Sequence, residues 1–206
     1  MENLPEDPGN LYLNDTWNFY FHAKNDSKKY ADNTTKIAQI KTIKDLWEVY
    51  NNIPKPSELF SEYDAPQKII KKTKEIPNAI SIFRDSSYPQ WEHDTNRNGY
   101  EWSMRKQKNI QESNDLWINL IATILGESFD KSELINGIRI VDCSIEHKII
   151  YRYEIWISHK THKEYFENFI KGVLKTPNYI RLIYRDHTTL KESEKSKKNE
   201  KPDLVY

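Results

Sequence analysis

Two aromatic residues, Tyr30 and Trp91, lie in polar stretches of the chain where no hydrophobic core calls for them, and Glu92 follows Trp91 directly. Loop aromatics can fold back on a domain as lids. They can also sandwich a flat ligand, and stacking of that kind contributes roughly 1–3 kcal/mol per base. Glu92 sharpens the second reading, because a carboxylate presents two acceptor oxygens and no donor. Guanine offers two parallel donors on its Watson–Crick edge, N1–H and the 2-amino group, and adenine offers nothing equivalent. A ring stacked on the base beside an in-plane carboxylate therefore selects guanine. Methylation at N7 makes the base cationic and strengthens both the stacking and the pairing.

Other chemistries find little support. There is no GxSxG and no HExxH, and the single cysteine, Cys143, excludes a disulfide framework and multi-cysteine metal sites. His159-x-x-His162 has no third ligand nearby. Asp94-Thr95-Asn96-Arg97-Asn98-Gly99 imitates the start of a calcium loop but has Arg105 at the twelfth position. Five glycines and no GxGxxG leave little for phosphate-cradling loops. Neither a metal nor a cofactor is expected, and the expected function is not enzymatic. The 31 basic side chains balance 31 acidic ones, which argues against gripping long nucleic acid by bulk charge while allowing a local basic patch. No apolar run approaches the ~18 residues of a membrane span and no secretory signal opens the chain, so a soluble, intracellular protein is expected.

The 206 residues suit one domain that buries roughly 70% of its unfolded surface. Residues 1–10 read as a loose N-terminus, 11–190 as the domain and 191–206 as a charged tail. Residues 13–21 alternate, with Leu13, Trp17, Phe19 and Phe21 on one side, and predict a strand. Residues 24–34 read as a polar loop. Thr42 with Asp45 forms a capping box that opens a helix, with Ile43, Leu46, Trp47, Tyr50 and Ile53 along one stripe and Pro54 and Pro56 ending it. A long loop is expected over 57–75 and strands over 79–83 and 99–105. A second helix spans about 114–125 with Gly126 as its C′ residue. Residues 138–143 and 148–157 predict a hairpin. Thr161 with Glu164 reads as a second capping box, before a helix that buries Phe166 and Ile170. A last strand follows at 179–184. The order βαββαββαβ predicts an α+β domain, a mainly antiparallel sheet covered on one face by three helices.

Several of these segments together resemble the messenger-RNA cap-binding translation initiation factor 4E family, over about residues 11–191. The matching blocks are Trp17-Asn18-Phe19-Tyr20-Phe21, the run from Thr42 through Trp47 to Asn51, and Phe83-Arg84-Asp85. Pro89-Gln90-Trp91-Glu92 with Asn98-Gly99 and Trp102 follow, then Asp115-Leu116-Trp117, Gly126-Glu127-Ser128-Phe129-Asp130, Gly137 and Ile155-Trp156. The resemblance implies a cupped sheet with helices on its convex face and a 7-methylguanine in its hollow. It makes Trp91 one stacking ring, Glu92 the partner of the Watson–Crick edge, and Trp156 the residue near the 7-methyl group. Tyr30, seventeen residues before Trp47, stands where the family usually has a second Trp ring. Arg152 matches a phosphate-binding Lys. The family's other phosphate Arg meets Cys143 or Ser144 here, which leaves Arg139 or Lys148 as substitutes, with Lys191 at the end of the triphosphate.

The same resemblance implies a partner surface on the far side. Trp47, Ile43 and Ile118 match positions that receive a helix with the pattern Tyr-x-x-x-x-Leu-Φ from an initiation scaffold or a repressor. Asn119 stands for a usual Glu and Ala122 for a usual Leu. The expected role is delivery of capped mRNA to a scaffold in translation initiation, in the cytoplasm with a nuclear fraction, by a protein monomeric apart from its partners. A weakly cap-binding repressor of the same family, a cap-processing enzyme and a cap-indifferent single-stranded RNA binder are the alternatives.

Overall fold

Side chains two apart on a strand share a face, so a sheet whose two faces differ must keep its register throughout. A computed structural model describes residues 11–23, 30–59, 77–107, 110–145, 149–174 and 182–189. Within them the strands are β1 (Tyr12–Ala23), β2 (Thr34–Thr42), β3 (Pro77–Arg84), β4 (Tyr100–Gln107), β5 (Ile135–Asp142), β6 (Ile150–Ile157) and β7 (Ile183–Asp186). They form a single sheet in the order β2-β1-β3-β5-β6-β4-β7, and every neighbouring pair is antiparallel. Register shifts in β1 and at the start of β5 bend the sheet. The helices are α1 (Ile43–Asn52), the single turn α2 (Pro56–Leu59), α3 (Ile110–Gly126) and α4 (Lys163–Val173).

One face of the sheet carries Trp17, Phe19, Ile80, Ile82, Trp102, Ile138, Tyr153 and Ile155 against Leu46, Leu59, Trp117, Ile121, Phe166 and Ile170 from all four helices. This is the expected α+β layering, with the helices on one side. The opposite face holds a smaller cluster of Tyr20, Phe83 and Trp156, with Tyr88 and Trp91 packed against it. No helix among the described residues is long and apolar enough to cross a membrane.

Local expectations fare unevenly. The Thr42 capping box forms: the Asp45 N–H donates to Thr42 Oγ1 at 3.0 Å and the Thr42 N–H to Asp45 Oδ2 at 2.9 Å. The β5–β6 hairpin also forms. The strand β2 carries no clear alternation, because it is a half-buried edge and has no second apolar face to declare. Tyr30 lies in a one-turn 3-10 helix (Tyr30–Asn33) rather than a featureless loop.

The helix α3 runs through Gly126, and the left-handed residue is Glu127 (φ 48°) instead of a C′ glycine. Its carboxylate pairs with buried Arg84, which also pairs with Asp15 and donates to the carbonyls of Ile135 and Ser132, so an ion pair offsets the backbone cost. The second capping box is absent. A left-handed His162 (φ 59°) is the N-cap of α4, which puts Glu164 one position too early, while the Thr161 carbonyl accepts from the Tyr100 hydroxyl. The last strand begins at Ile183, and residues 179–181 lie outside the described segments, as do 1–10, 60–76 and 190–206.

His22 of β1 is buried beneath the open face, with Nε2 2.7 Å from Ser81 Oγ and Nδ1 3.1 Å from Thr34 Oγ1. Burial, reinforced by the charge of Arg139, holds its pKa well below the usual imidazole value. The folded state then resists a proton that the unfolded chain accepts, so this contribution to stability is complete above the unfolded-chain value and is lost as pH falls. Denaturant unfolding at pH 7 and pH 5 should show His22→Gln losing less stability on acidification than the unaltered chain.

Candidate functional site

Two rows of residues that cross the sheet make up the middle of the open face. One runs Asn18, Phe83, Gly137, Trp156, Glu101, Arg185, and the next runs Tyr20, Ser81, Arg139, Glu154, Ser103, Ile183. Gly137 is required where it stands. A methyl group there would lie 2.4 Å from the Phe83 ring, which fills the space above it and meets Trp156 edge-on at 5.3 Å. Trp156 is 3% exposed, also packs against His187 (4.8 Å between ring centres) and donates its indole N–H to Glu154 Oε2 at 3.1 Å.

Trp91 and Glu92 reach this face from the connection between β3 and β4, which a buried asparagine folds. Asn96 Nδ2 donates to the carbonyls of Tyr88 (2.7 Å) and Gln90 (2.8 Å), and its Oδ1 accepts from Asn136 Nδ2 (2.8 Å) and Ser87 Oγ (3.2 Å). Its own carbonyl lies 2.8 Å from His187 Nδ1, which must carry the proton because a carbonyl only accepts. The supposed calcium-loop imitation around Asp94 is therefore a loop organiser. The chain re-enters the sheet at Gly99, where a Cβ would lie 1.9 Å from the Ile157 carbonyl. A hydrogen bond between the Tyr88 and Thr34 side chains ties the loop to the start of β2, immediately after Tyr30–Asn33.

Between loop and sheet lies a cleft of about 330 Å³. Pro89, Gln90, Trp91 and Glu92 form one wall; Trp156, Arg139 and Arg152 form the other with Glu101, Glu154 and Arg185. The structure thus brings together Trp91, Glu92, Trp156, Arg139 and Arg152. It describes the backbone of Tyr30, while Lys148 and Lys191 lie outside the described residues. Glu92 is exposed and Trp91 half-buried.

The acidic residues of the sheet wall are additions that the sequence reading did not single out. Arg152, Glu154 and Trp156 recur every second residue of β6, so strand periodicity alone puts Glu154 beside both. Glu154 is buried, which opposes its ionisation. The charges of Arg139 and Arg152, with hydrogen bonds from Trp156 and Arg152, outweigh burial and leave its pKa below the ordinary value. Burial likewise opposes the charge on Arg152, and Glu154 more than offsets it. Among the described residues no group of three His, Cys, Asp or Glu is placed to hold a metal ion. The arrangement can stack a flat ring, offer a carboxylate to paired donors and present guanidinium groups to an anion.

On the far side, Trp47 is 44% and Ile43 39% exposed on α1, and Leu11, whose carbonyl accepts from the Ile43 N–H, is exposed beside them. Asp115 of α3 acts electrostatically on Tyr50 of α1, so Ile118, one turn further along α3, belongs to the same region; it is half-buried and Asn119 exposed.

Comparison with known proteins agrees with this fold. The profile of the family described as eukaryotic initiation factor 4E matches residues 12–202. Eukaryotic translation initiation factor 4E-1B of Danio rerio is 30% identical over 119 residues, 57% of this chain and 49% of that protein. The chain spans about half the length of several curated relatives it matches. Among solved structures, C. elegans eIF4E-3 in complex with the 4E-binding protein Mextli superposes with a TM-score of 0.72 at 20% identity, over 89% of this chain and 97% of that one. Ascaris suum eIF4E-3 with an m7G cap gives 0.71 at 19% identity, over 96% and 95%.

Replacing Asn96 by Ala removes one hydrogen bond each from the carbonyls of Tyr88 and Gln90, the Asn136 amide and the Ser87 hydroxyl. It should cost about 1–3 kcal/mol of stability. Thermal unfolding together with fluorescence anisotropy of the tryptophans will show the Trp91 loop loosened.

Proposed function

Because the chain belongs to the eukaryotic initiation factor 4E family, we propose that its cleft binds the 7-methylguanosine cap of mRNA by selective equilibrium binding, without chemical change to the ligand. The observation that carries this reading is the convergence of Trp91, Glu92, Trp156 and Arg152 on one cleft, from a loop and a strand far apart in sequence. Trp91 stacks on the methylated base, Glu92 accepts from N1–H and the 2-amino group, and Trp156 lines the floor. Arg152 and Arg139 stand on the phosphate side. Tyr30, which precedes β2 where Tyr88 tethers the loop, serves as the second ring. The Ascaris suum relative described with an m7G cap supports the assignment through the shared family.

The exposed Trp47 and Ile43, with Ile118 and Asn119 on α3, form the surface for a partner helix of the pattern Tyr-x-x-x-x-Leu-Φ. The C. elegans relative, described with a 4E-binding protein, supports a partner surface in this family. The role that follows is cytoplasmic translation initiation, the chain joining capped mRNA to a scaffold.

Titration with 7-methyl-GTP and with GTP, read by tryptophan fluorescence, should show a preference of about tenfold or more for the methylated ligand, the effect of a cationic base between rings. Equal affinities would sink the proposal. Glu92→Ala should weaken 7-methyl-GTP binding by about 2–4 kcal/mol while leaving the fold intact. Trp47→Ala should leave that affinity unchanged and abolish binding of a Tyr-x-x-x-x-Leu-Φ peptide, as calorimetry can check; loss of both would place Trp47 in the fold rather than the interface.

A further inference from the structure

Among the described residues, each arginine that lines the cleft is paired with a carboxylate of the protein itself. Among the described residues that line it, Arg139, Arg152 and Arg185 face Glu92, Glu101 and Glu154, so positive and negative charges cancel. Glu154, 1% exposed, accepts on Oε1 from Arg152 Nε at 2.6 Å, and Arg152 Nη2 lies 2.6 Å from the same oxygen as an ion pair. Its Oε2 accepts from Trp156 and lies 3.8 Å from Arg139 Nε. Glu101, 3% exposed, accepts from Arg185 Nη1 at 2.6 Å, with His187 Nε2 3.9 Å from its other oxygen.

These are not surface pairs that a phosphate can displace freely. Each carboxylate sits in the sheet wall, opposite its arginine in a cross-strand pair: Arg139 with Glu154 and Glu101 with Arg185. Drawing an arginine away would leave a buried carboxylate without its counter-charge, which is strongly unfavourable. Arg152 nevertheless has five N–H groups, and its contacts with Glu154 involve Nε and Nη2, so Nη1 can still reach one phosphate oxygen.

We propose that Glu154, supported by Glu101, sets how many phosphates the cleft responds to: the site reads the methylated base and the nearest phosphate and gains little from the second and third. This rests on the cap-binding reading above. Glu154 is then a specificity-determining residue that acts through Arg139 and Arg152. A wall in which two buried carboxylates hold three arginines gives base selectivity with weak dependence on phosphate number and on salt.

The test uses the full chain and two ligand series at constant ionic strength, 7-methyl-GMP, -GDP and -GTP and the unmethylated GMP, GDP and GTP. Affinities within the methylated series should agree within about threefold, the scale of a screened ion pair. Glu154→Gln should open a preference of about tenfold or more for 7-methyl-GTP over 7-methyl-GMP, as guanidinium groups released from their carboxylate become available to phosphate. Glu101→Gln should act in the same direction, and it carries the test if the first variant does not fold. Tenfold gains per phosphate in the unaltered chain would overturn the proposal, as would a flat series in both variants. The ratio of 7-methyl-GMP to GMP separately decides the base reading. If that ratio is one, the unmethylated series still tests the charge pairing by the same criteria.

Discussion

Every strand of this sheet sends alternate side chains to opposite sides, and both sides are put to use. On one, Trp17, Ile82, Ile155 and their neighbours meet four helices. On the other, the residues between them form a second, smaller apolar cluster edged by charge. A slip of one residue in β6 would send Arg152, Glu154 and Trp156 into the helical core and Tyr153 and Ile155 into the cleft. Neither face tolerates that exchange, so the hydrophobic burial that stabilises the fold also holds the site in register.

The loop wall depends on a different kind of order. Residues 85–99 form no regular element, and an irregular segment must find partners for its backbone groups by other means. Asn96 supplies them from within, bridging two carbonyls of its own loop while Asn136 and His187 fasten it to the sheet side. His187 also packs on Trp156, so one small network sets the distance between the loop that carries Trp91 and the strand that carries Trp156. The loop wall and the sheet beneath it are thereby positioned as a unit.

Charge in the cleft follows the same economy of partners. Two buried carboxylates on the sheet wall would be costly alone, and each is matched to an arginine directly across a strand pair. The arginines gain fixed orientations, Trp156 gains an acceptor for its indole N–H, and three arginines against two carboxylates leave the wall with a net charge of only one.

Much of this was legible in the chain. The Thr42 box, the stripe of α1 with Trp47 at its edge, the β5–β6 hairpin and the pairing of Trp91 with Glu92 are local patterns, and local patterns are written in neighbouring residues. The edge strand β2 escaped because a half-solvated edge imposes no apolar alternation. Glu127 escaped because the ion pair that offsets its left-handed backbone comes from Arg84, far away in sequence. Glu101, Glu154 and Arg185 escaped as members of the cleft for the same reason. Periodicity tells which face a residue takes, but only the register between strands, chosen by the packing of the entire sheet, tells which residue stands opposite it. The sequence by itself determined most of the element types, the two-faced sheet and the chemistry open to Trp91 beside Glu92. The tertiary structure decided that arginines and carboxylates would meet in pairs across the cleft floor, because cross-strand partners are a property of the assembled sheet and of no segment alone.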